Sequence, residues 1–243
     1  MLMLLFLQGH IPVKENKEAT LAYLEAKLRR SLINHDRHEE IYLQNFCDAL
    51  VMDNMPDSAK VKVFTDWICE YLTYDKRLQT HMKRGYLPRR PINWQTAILD
   101  KMTVCAGYAD LLRVMCETQG IDCKVVTGKA YSLGKVKRAT SVMDSYTPGN
   151  FEMFFERHAW NLVTYESGRS YLVDPTWIDG EKSYYYFQTD PFEFLRDHLP
   201  DIPAYQLIEE PVTQEELCTL KMSKIRKMHE LRTCLPCDQK QSI

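Results

Sequence analysis

The sequence predicts an α+β fold, with helices in the first half of the chain and an antiparallel sheet in the second, around one core. Three observations lead to this. Apolar residues recur at helical spacing before residue 120, β-type segments cluster after it, and no regular strand–helix–strand alternation of a parallel sheet runs through the chain. A chain of 243 residues makes one large domain or two small ones. At that length about 70–75% of the unfolded surface is buried, so neither disulfides nor a metal are needed to hold a core. With 45% hydrophobic and 26% charged residues, a disordered, collagen-like or coiled-coil chain is excluded. Lys plus Arg number 31 against 33 for Asp plus Glu, a net charge of −2. The basic excess that draws a protein to phosphate is missing, which disfavours nucleic acid as a partner.

The elements follow in chain order. The opening MLMLLFLQGHIPV has an apolar stretch of seven residues, with no Lys or Arg before it and no small-x-small cleavage site. It does not read as a cleaved signal peptide. No run approaches the 18 or so apolar residues of a membrane span, so a cytoplasmic protein is expected, with non-classical export left open. Residues 18–50 are helical in pattern, with Leu21, Leu24 and Leu28 in one patch and Ile41, Phe46 and Leu50 in another. Between them, His35 and His38 lie in the charged stretch NHDRHEE, which reads as a solvated face and not as a metal pair. Asp57 or Ser58 is placed to cap a helix through Tyr71, whose apolar set is Val61, Phe64, Ile68 and Leu72. LTYDKR then leads into HMKRGYLPRRP, read as a solvated loop.

MTVCAGYADLLRVMCETQGID reads as a short buried approach followed by a helix from near Cys105. Tyr108, Leu111, Leu112 and Met115 form its apolar stripe, Gly120 its stop and Ile121 the hydrophobic contact after the stop. CKVVTGKAY (123–131) has strand composition, and residues 132–157 form a long connection. A hairpin comes next, with strands over roughly 158–165 and 169–174 and a three-residue loop Glu166-Ser167-Gly168. That loop pairs Tyr165 with Arg169 and Trp160 with Asp174, which makes His158 and Asp174 diagonal neighbours on one face. Pro175 ends the ladder. SYYYFQ (183–188) is a further strand candidate, and Thr213 with Glu216 opens a last helix.

Of eight cysteines, several sit in apolar runs and read as core residues of a reducing compartment. Cys234 and Cys237 form a C-x-x-C pair with no second pair or histidines at ligand spacing, so no metal site is read there. Cys105 is different, because it opens a helix. The positive end of a helix favours thiolate over thiol, and its unpaired first-turn N–H groups are donors for an oxyanion on an acyl group attacked by sulfur. An imidazole beside the sulfur would complete its activation, and a carboxylate on that imidazole would fix the tautomer. His158 and Asp174 are the neighbours that fit these roles.

VCAGYADLLRVMCETQGIDCKVVTG, HAWNLV and YLVDPTW together resemble the core signature of the transglutaminase-like superfamily, in the order Cys, His, Asp. VFTDWICEYLTYDKR is similar to the segment that often precedes the cysteine there. The resemblance spans roughly residues 60–180. It implies a papain-like, transglutaminase-like α+β core, with a helical part presenting the cysteine and an antiparallel sheet presenting the other two residues. It also implies Cys105 as nucleophile, His158 as general base and acid, and Asp174 as the residue orienting the histidine. Thr103 departs from the glycine that many members have two residues before the cysteine. No acidic loop suggests calcium, and no cofactor or metal is called for. Trp94, Gln95 and Trp160 are candidates for oxyanion or substrate contacts, the first two through an indole N–H and an amide.

The expected arrangement is one domain overall: an N-terminal helical segment over 1–56, a catalytic core over 57–212, and a C-terminal helix and tail over 213–243. The expected function is acyl transfer by cysteine, on an amide of a protein or peptide, through a thioester. An amine acceptor then gives a cross-link and water gives deamidation. The alternatives are a cysteine peptidase on the same triad and a catalytically silent binding module. Oligomeric state is not addressed by the sequence.

Overall fold

A computed structural model describes residues 13–52, 54–130 and 156–189, together with Phe194 and residues 197–201. The Thr213–Glu216 pattern, the C-x-x-C pair, the N-terminal apolar stretch and most of the 132–157 connection lie outside the described residues. Among the described residues, no helix is long and apolar enough to cross a membrane.

The first half is helical. α1 (Val13–Asn34) and α2 (Glu39–Leu50) pack together and bury Leu28, Leu32, Leu43 and Phe46. α3 (Asp57–Tyr71) buries Val61, Phe64 and Ile68, its predicted stripe. Its N-cap is Pro56 and not Asp57 or Ser58. Asp57 falls inside the first turn, where a carboxylate suits the positive end of the helix. The stretch read as a solvated loop after Tyr74 contains a helix, α4 (Lys76–Lys83). It buries no residue and so has no apolar stripe to reveal it; the Asp75 carboxylate starts it by accepting from the N–H groups of Arg77 and Leu78. α5 (Trp94–Asp100) opens with a capping box between Asn93 and Thr96.

Two short parallel strands, β1 (Thr73–Tyr74) and β2 (Met102–Thr103), tie the end of α3 to the residues that lead into α6 (Cys105–Thr118). α6 is the central helix, touching α2, α3, α5 and the sheet. Tyr108, Leu111, Leu112 and Met115 are each 0% exposed. At its C-terminus Gly120 takes φ +70°, its N–H bonds to Glu117, and the N–H of Ile121 bonds to Cys116. Glycine adopts that conformation without the Cβ penalty, and the two bonds satisfy carbonyls the helix would otherwise strand.

The sheet is antiparallel, in the order β5-β4-β3-β6: β3 is Asp122–Ala130, β4 Glu156–Thr164, β5 Ser170–Val173 and β6 His198–Pro200. The hairpin register is the predicted one, with the Tyr165 N–H bonded to Arg169 and Asn161 paired with Val173. Beyond β5 the chain forms α7 (Pro175–Glu181), so Pro175 not only ends the ladder but occupies the first position of a helix. Residues 183–188 are not a strand. Tyr184–Tyr186 form a 3₁₀ turn opened by the Ser183 hydroxyl, and only Thr189 makes an isolated bridge, to Leu172. Tyr186 is buried while Tyr184 and Tyr185 are exposed, a three-residue pattern and not the alternation of a strand.

Candidate active site

Cys105 is the first residue of α6, half-buried, behind Val104 in extended conformation, and no side chain caps this helix end. The approach is fixed from below. Thr103 is buried, its carbonyl accepts the Asp75 N–H at 2.8 Å, and its side chain occupies the space over Gly107. A Cβ on Gly107 would stand 2.1 Å from the Thr103 hydroxyl oxygen, so a threonine at 103 requires a glycine at 107. The departure at Thr103 is therefore matched one turn into the helix.

His158 comes from β4 and is 8% exposed. Its Nε2 lies 2.6 Å from Asp174 Oδ2, which leaves Nδ1 for the Cys105 thiol, within hydrogen-bonding reach of the ring. Burial opposes charge on this imidazole. The charge and hydrogen bond of Asp174, helped by Cys105, outweigh burial and raise its pKa to about 10. Burial likewise opposes charge on Asp174, which is 0% exposed, and the two imidazoles beside it hold the carboxyl well below the usual range. Asn161 of β4 adds a tie to the cysteine helix, donating its amide N–H to the Ala109 carbonyl of α6 at 2.9 Å.

Asp174 is held at both oxygens. It is the N-cap of α7, and Oδ1 accepts the N–H groups of Thr176 and Trp177 at 3.0 and 3.1 Å. Oδ2 accepts from His158 and also faces His198 Nε2 at 3.2 Å. His198 is fully buried, with Nδ1 2.7 Å from Asp197 Oδ1, and the Tyr186 hydroxyl donates to Asp197 Oδ2 at 3.1 Å. Sequence reasoning did not find His198. It stands 24 residues beyond Asp174 on a three-residue strand that pairs with distant β3, and no local spacing joins the two.

Three donor atoms of His158, Asp174 and His198 lie within 4.8 Å of one another. Ligands of one tetrahedral zinc, at about 2.0 Å each, stand about 3.3 Å apart. The 2.6 Å between His158 and Asp174 is too close for that, and suits a hydrogen bond.

Trp160 is fully buried, its ring 6.1 Å from that of His158 and edge-on to His198 at 5.0 Å. Its indole N–H has no partner among the described residues. Trp94 and Gln95 open α5, where the Trp94 backbone N–H donates to Asp110 of α6 at 2.8 Å. The described hydrogen bonds join neither side chain to Cys105 or His158. Tyr74 and Arg157, which sequence reasoning passed over, lie close enough to respond to charge on Cys105.

Burial pushes Cys47 and Cys69 up to about 12. A hydrogen bond with Cys123, and then burial, raise Cys116.

Residues 44–178, more than half of the chain, match the transglutaminase-like superfamily (Transglut_core). The chain belongs to that superfamily. Among curated relatives, kyphoscoliosis peptidase of Mus musculus is 31% identical over 182 residues, covering 70% of this chain and 25% of that protein. Kyphoscoliosis peptidase of Homo sapiens is 30% identical over 182 residues with the same coverage, 70% and 25%. The chain thus spans about a quarter of the length of the curated relatives it matches. A solved TGase structure matches with a TM-score of 0.39 at 17% identity, covering 70% of this chain and 35% of that one. The helices and antiparallel sheet described above make this transglutaminase-like protein α+β.

Proposed function

We propose that the protein is a cysteine-dependent acyl-transfer enzyme acting on an amide of a protein or peptide, with Cys105, His158 and Asp174 as its triad. The observation that supports this best is the position of His158, bonded to a fully buried carboxylate through Nε2 and facing the Cys105 thiol with its other nitrogen. In the reaction, the proton of the pair rests on His158, whose charge Asp174 favours, and the Cys105 sulfur attacks the amide carbon as the thiolate. The first N–H groups of α6 face the developing oxyanion. The tetrahedral intermediate collapses to a thioester as the C–N bond breaks, and ammonia or an amine leaves with the proton from His158. Asp174 keeps the imidazole in the tautomer and angle this needs. His158, now neutral, takes a proton from an amine as it attacks the thioester to give a cross-link, or from water to give the acid, and the Cys105 sulfur leaves as thiolate. Trp94 and Gln95, on the helix packed against α6, are proposed to face the substrate side.

A second reading, a peptidase on the same triad, draws support from the two curated relatives, both named kyphoscoliosis peptidase. The steps are the same up to the thioester, with a backbone amide in place of a glutamine side chain. One experiment separates the readings. A glutamine-containing protein mixture is incubated with a biotinylated primary amine and either wild type or Cys105→Ala, then analysed by mass spectrometry. Amine incorporation or deamidation at glutamine that disappears in Cys105→Ala is the expected result. New chain termini that disappear in it would establish the peptidase. Identical samples would point to the binding-module reading.

A further inference from the structure

We propose that His198 is a positioning residue of this site, holding the Asp174 carboxylate at the angle His158 requires; the proposal rests on the triad reading above. A carboxylate offers about four acceptor positions, and all four of Asp174 are engaged. Two are taken at Oδ1 by the backbone of α7, one at Oδ2 by His158, and the last by His198 at 3.2 Å. His198 therefore shares the very oxygen on which the triad histidine depends.

His198 is itself fixed by a closed circuit. Its Nδ1 meets Asp197, Asp197 accepts the Tyr186 hydroxyl, and the Tyr186 carbonyl accepts the Asp174 N–H at 2.9 Å, which returns the circuit to Asp174. Each ring nitrogen faces a carboxylate oxygen. A bare nitrogen at Nε2 would set its lone pair against Asp174 Oδ2, so the geometry calls for an N–H there. Among the described residues, the titratable groups around the ring are Asp174, Asp197, His158 and Tyr186, and the aromatic neighbours Trp160, Trp177 and Phe194 stand at 4.0–5.0 Å. In such a dry setting a lost donor is not replaced by water. Without His198, Oδ2 keeps an unsatisfied acceptor position, the carboxylate is free to turn about its last torsion, and the Asp174–His158–Cys105 alignment loosens.

The test uses the full chain and measures the pH profile of Cys105 carbamidomethylation by peptide mass spectrometry, together with Tm. Wild type is compared with His198→Leu, His198→Gln and His158→Ala. His198→Leu is expected to move the midpoint of the profile upward by about one pH unit and to slow labelling near pH 6 by about tenfold. His198→Gln retains an N–H able to reach Asp174 Oδ2 and is expected to recover the rate to within about threefold of wild type. A merely structural histidine would lower Tm in both variants and leave the midpoint in place, and that result overturns the proposal. If His158→Ala also leaves the midpoint in place, the triad reading fails and takes the proposal with it. If His158→Ala shifts the midpoint and His198→Leu does not, the proposal alone fails. Should the leucine variant not fold, Tyr186→Phe removes only the hydroxyl donor to Asp197. It is expected to shift the midpoint the same way by about a third as much, and an unmoved midpoint there overturns the proposal.

Discussion

Two helices present their N-termini to the same site and use them in opposite ways. At α7 the first N–H groups are consumed by Asp174, whose side chain caps the helix and is thereby locked in place. At α6 no side chain caps the end, and the residue in the first position is Cys105. On the proposed mechanism, one set of backbone donors holds a residue that must not move, and the other is left to a substrate whose charge appears only during reaction. The cap that would stabilise α6 by about 1 kcal/mol is absent where an acceptor from the protein would compete with the oxyanion.

The sharpest way to break this comparison is Asp174→Asn. Asparagine still caps α7, because its amide oxygen accepts the same two N–H groups, so the helix should form as before. The amide N–H₂ now meets the imidazoles, forcing the wrong tautomer on His158. Turnover is expected to fall by about 10³–10⁴ in steady-state assays while the circular dichroism spectrum is retained. An unchanged rate would remove Asp174 from the mechanism. A smaller effect concerns the thiols. Iodoacetamide near neutral pH is expected to modify Cys105 at least about tenfold faster than Cys47 and Cys69, whose thiols burial pushes up to about 12. Peptide mapping over time checks this, and uniform labelling would argue that the open end of α6 does nothing for its cysteine.

The ion pair behind the cysteine also has a pH signature. His158 is raised to about 10, so its contribution to stability is complete below the unfolded histidine value near ~6.5 and is lost as pH rises through about 10. Asp174 is lowered, so its contribution is complete above the unfolded carboxylate value near ~3.9 and is lost as pH falls toward its folded value. The stability gap between wild type and His158→Gln, measured by denaturant unfolding, should be widest near pH ~5 and close toward pH ~10. The smallest effect belongs to a cap that serves structure alone. Asp75→Ala removes the side chain that opens α4 and should cost about 1 kcal/mol in the same unfolding experiment, with turnover changed by no more than about twofold.

What the sequence reveals of this site depends on how local each cue is. The hairpin register follows from a three-residue loop and a period of two, and that register is enough to set His158 beside Asp174. The start and stop of α6 follow from Cys105, the apolar stripe and Gly120. By contrast, α4 packs no residue into the core, so its sequence carries only charge and turn signals. The run of tyrosines at 184–186 has strand composition, yet Ser183 turns it into a 3₁₀ turn by bonding to the Tyr185 N–H. β6 is three residues long, and its pairing of Ala130 with His198 joins chain segments far apart in sequence. Nothing near His198 announces Asp174, because their bond exists only once the sheet has closed.

If Asp174 serves the proposed chemistry as well as the cap, that double use has an evolutionary corollary. A lineage that abandoned the chemistry would still need a capping side chain at this position to start α7, and serine, threonine or asparagine would meet that need. Selection for architecture alone therefore tolerates several residues at 174, whereas selection for turnover tolerates one. The residue found there would sort active descendants of this fold from those retained only as scaffolds.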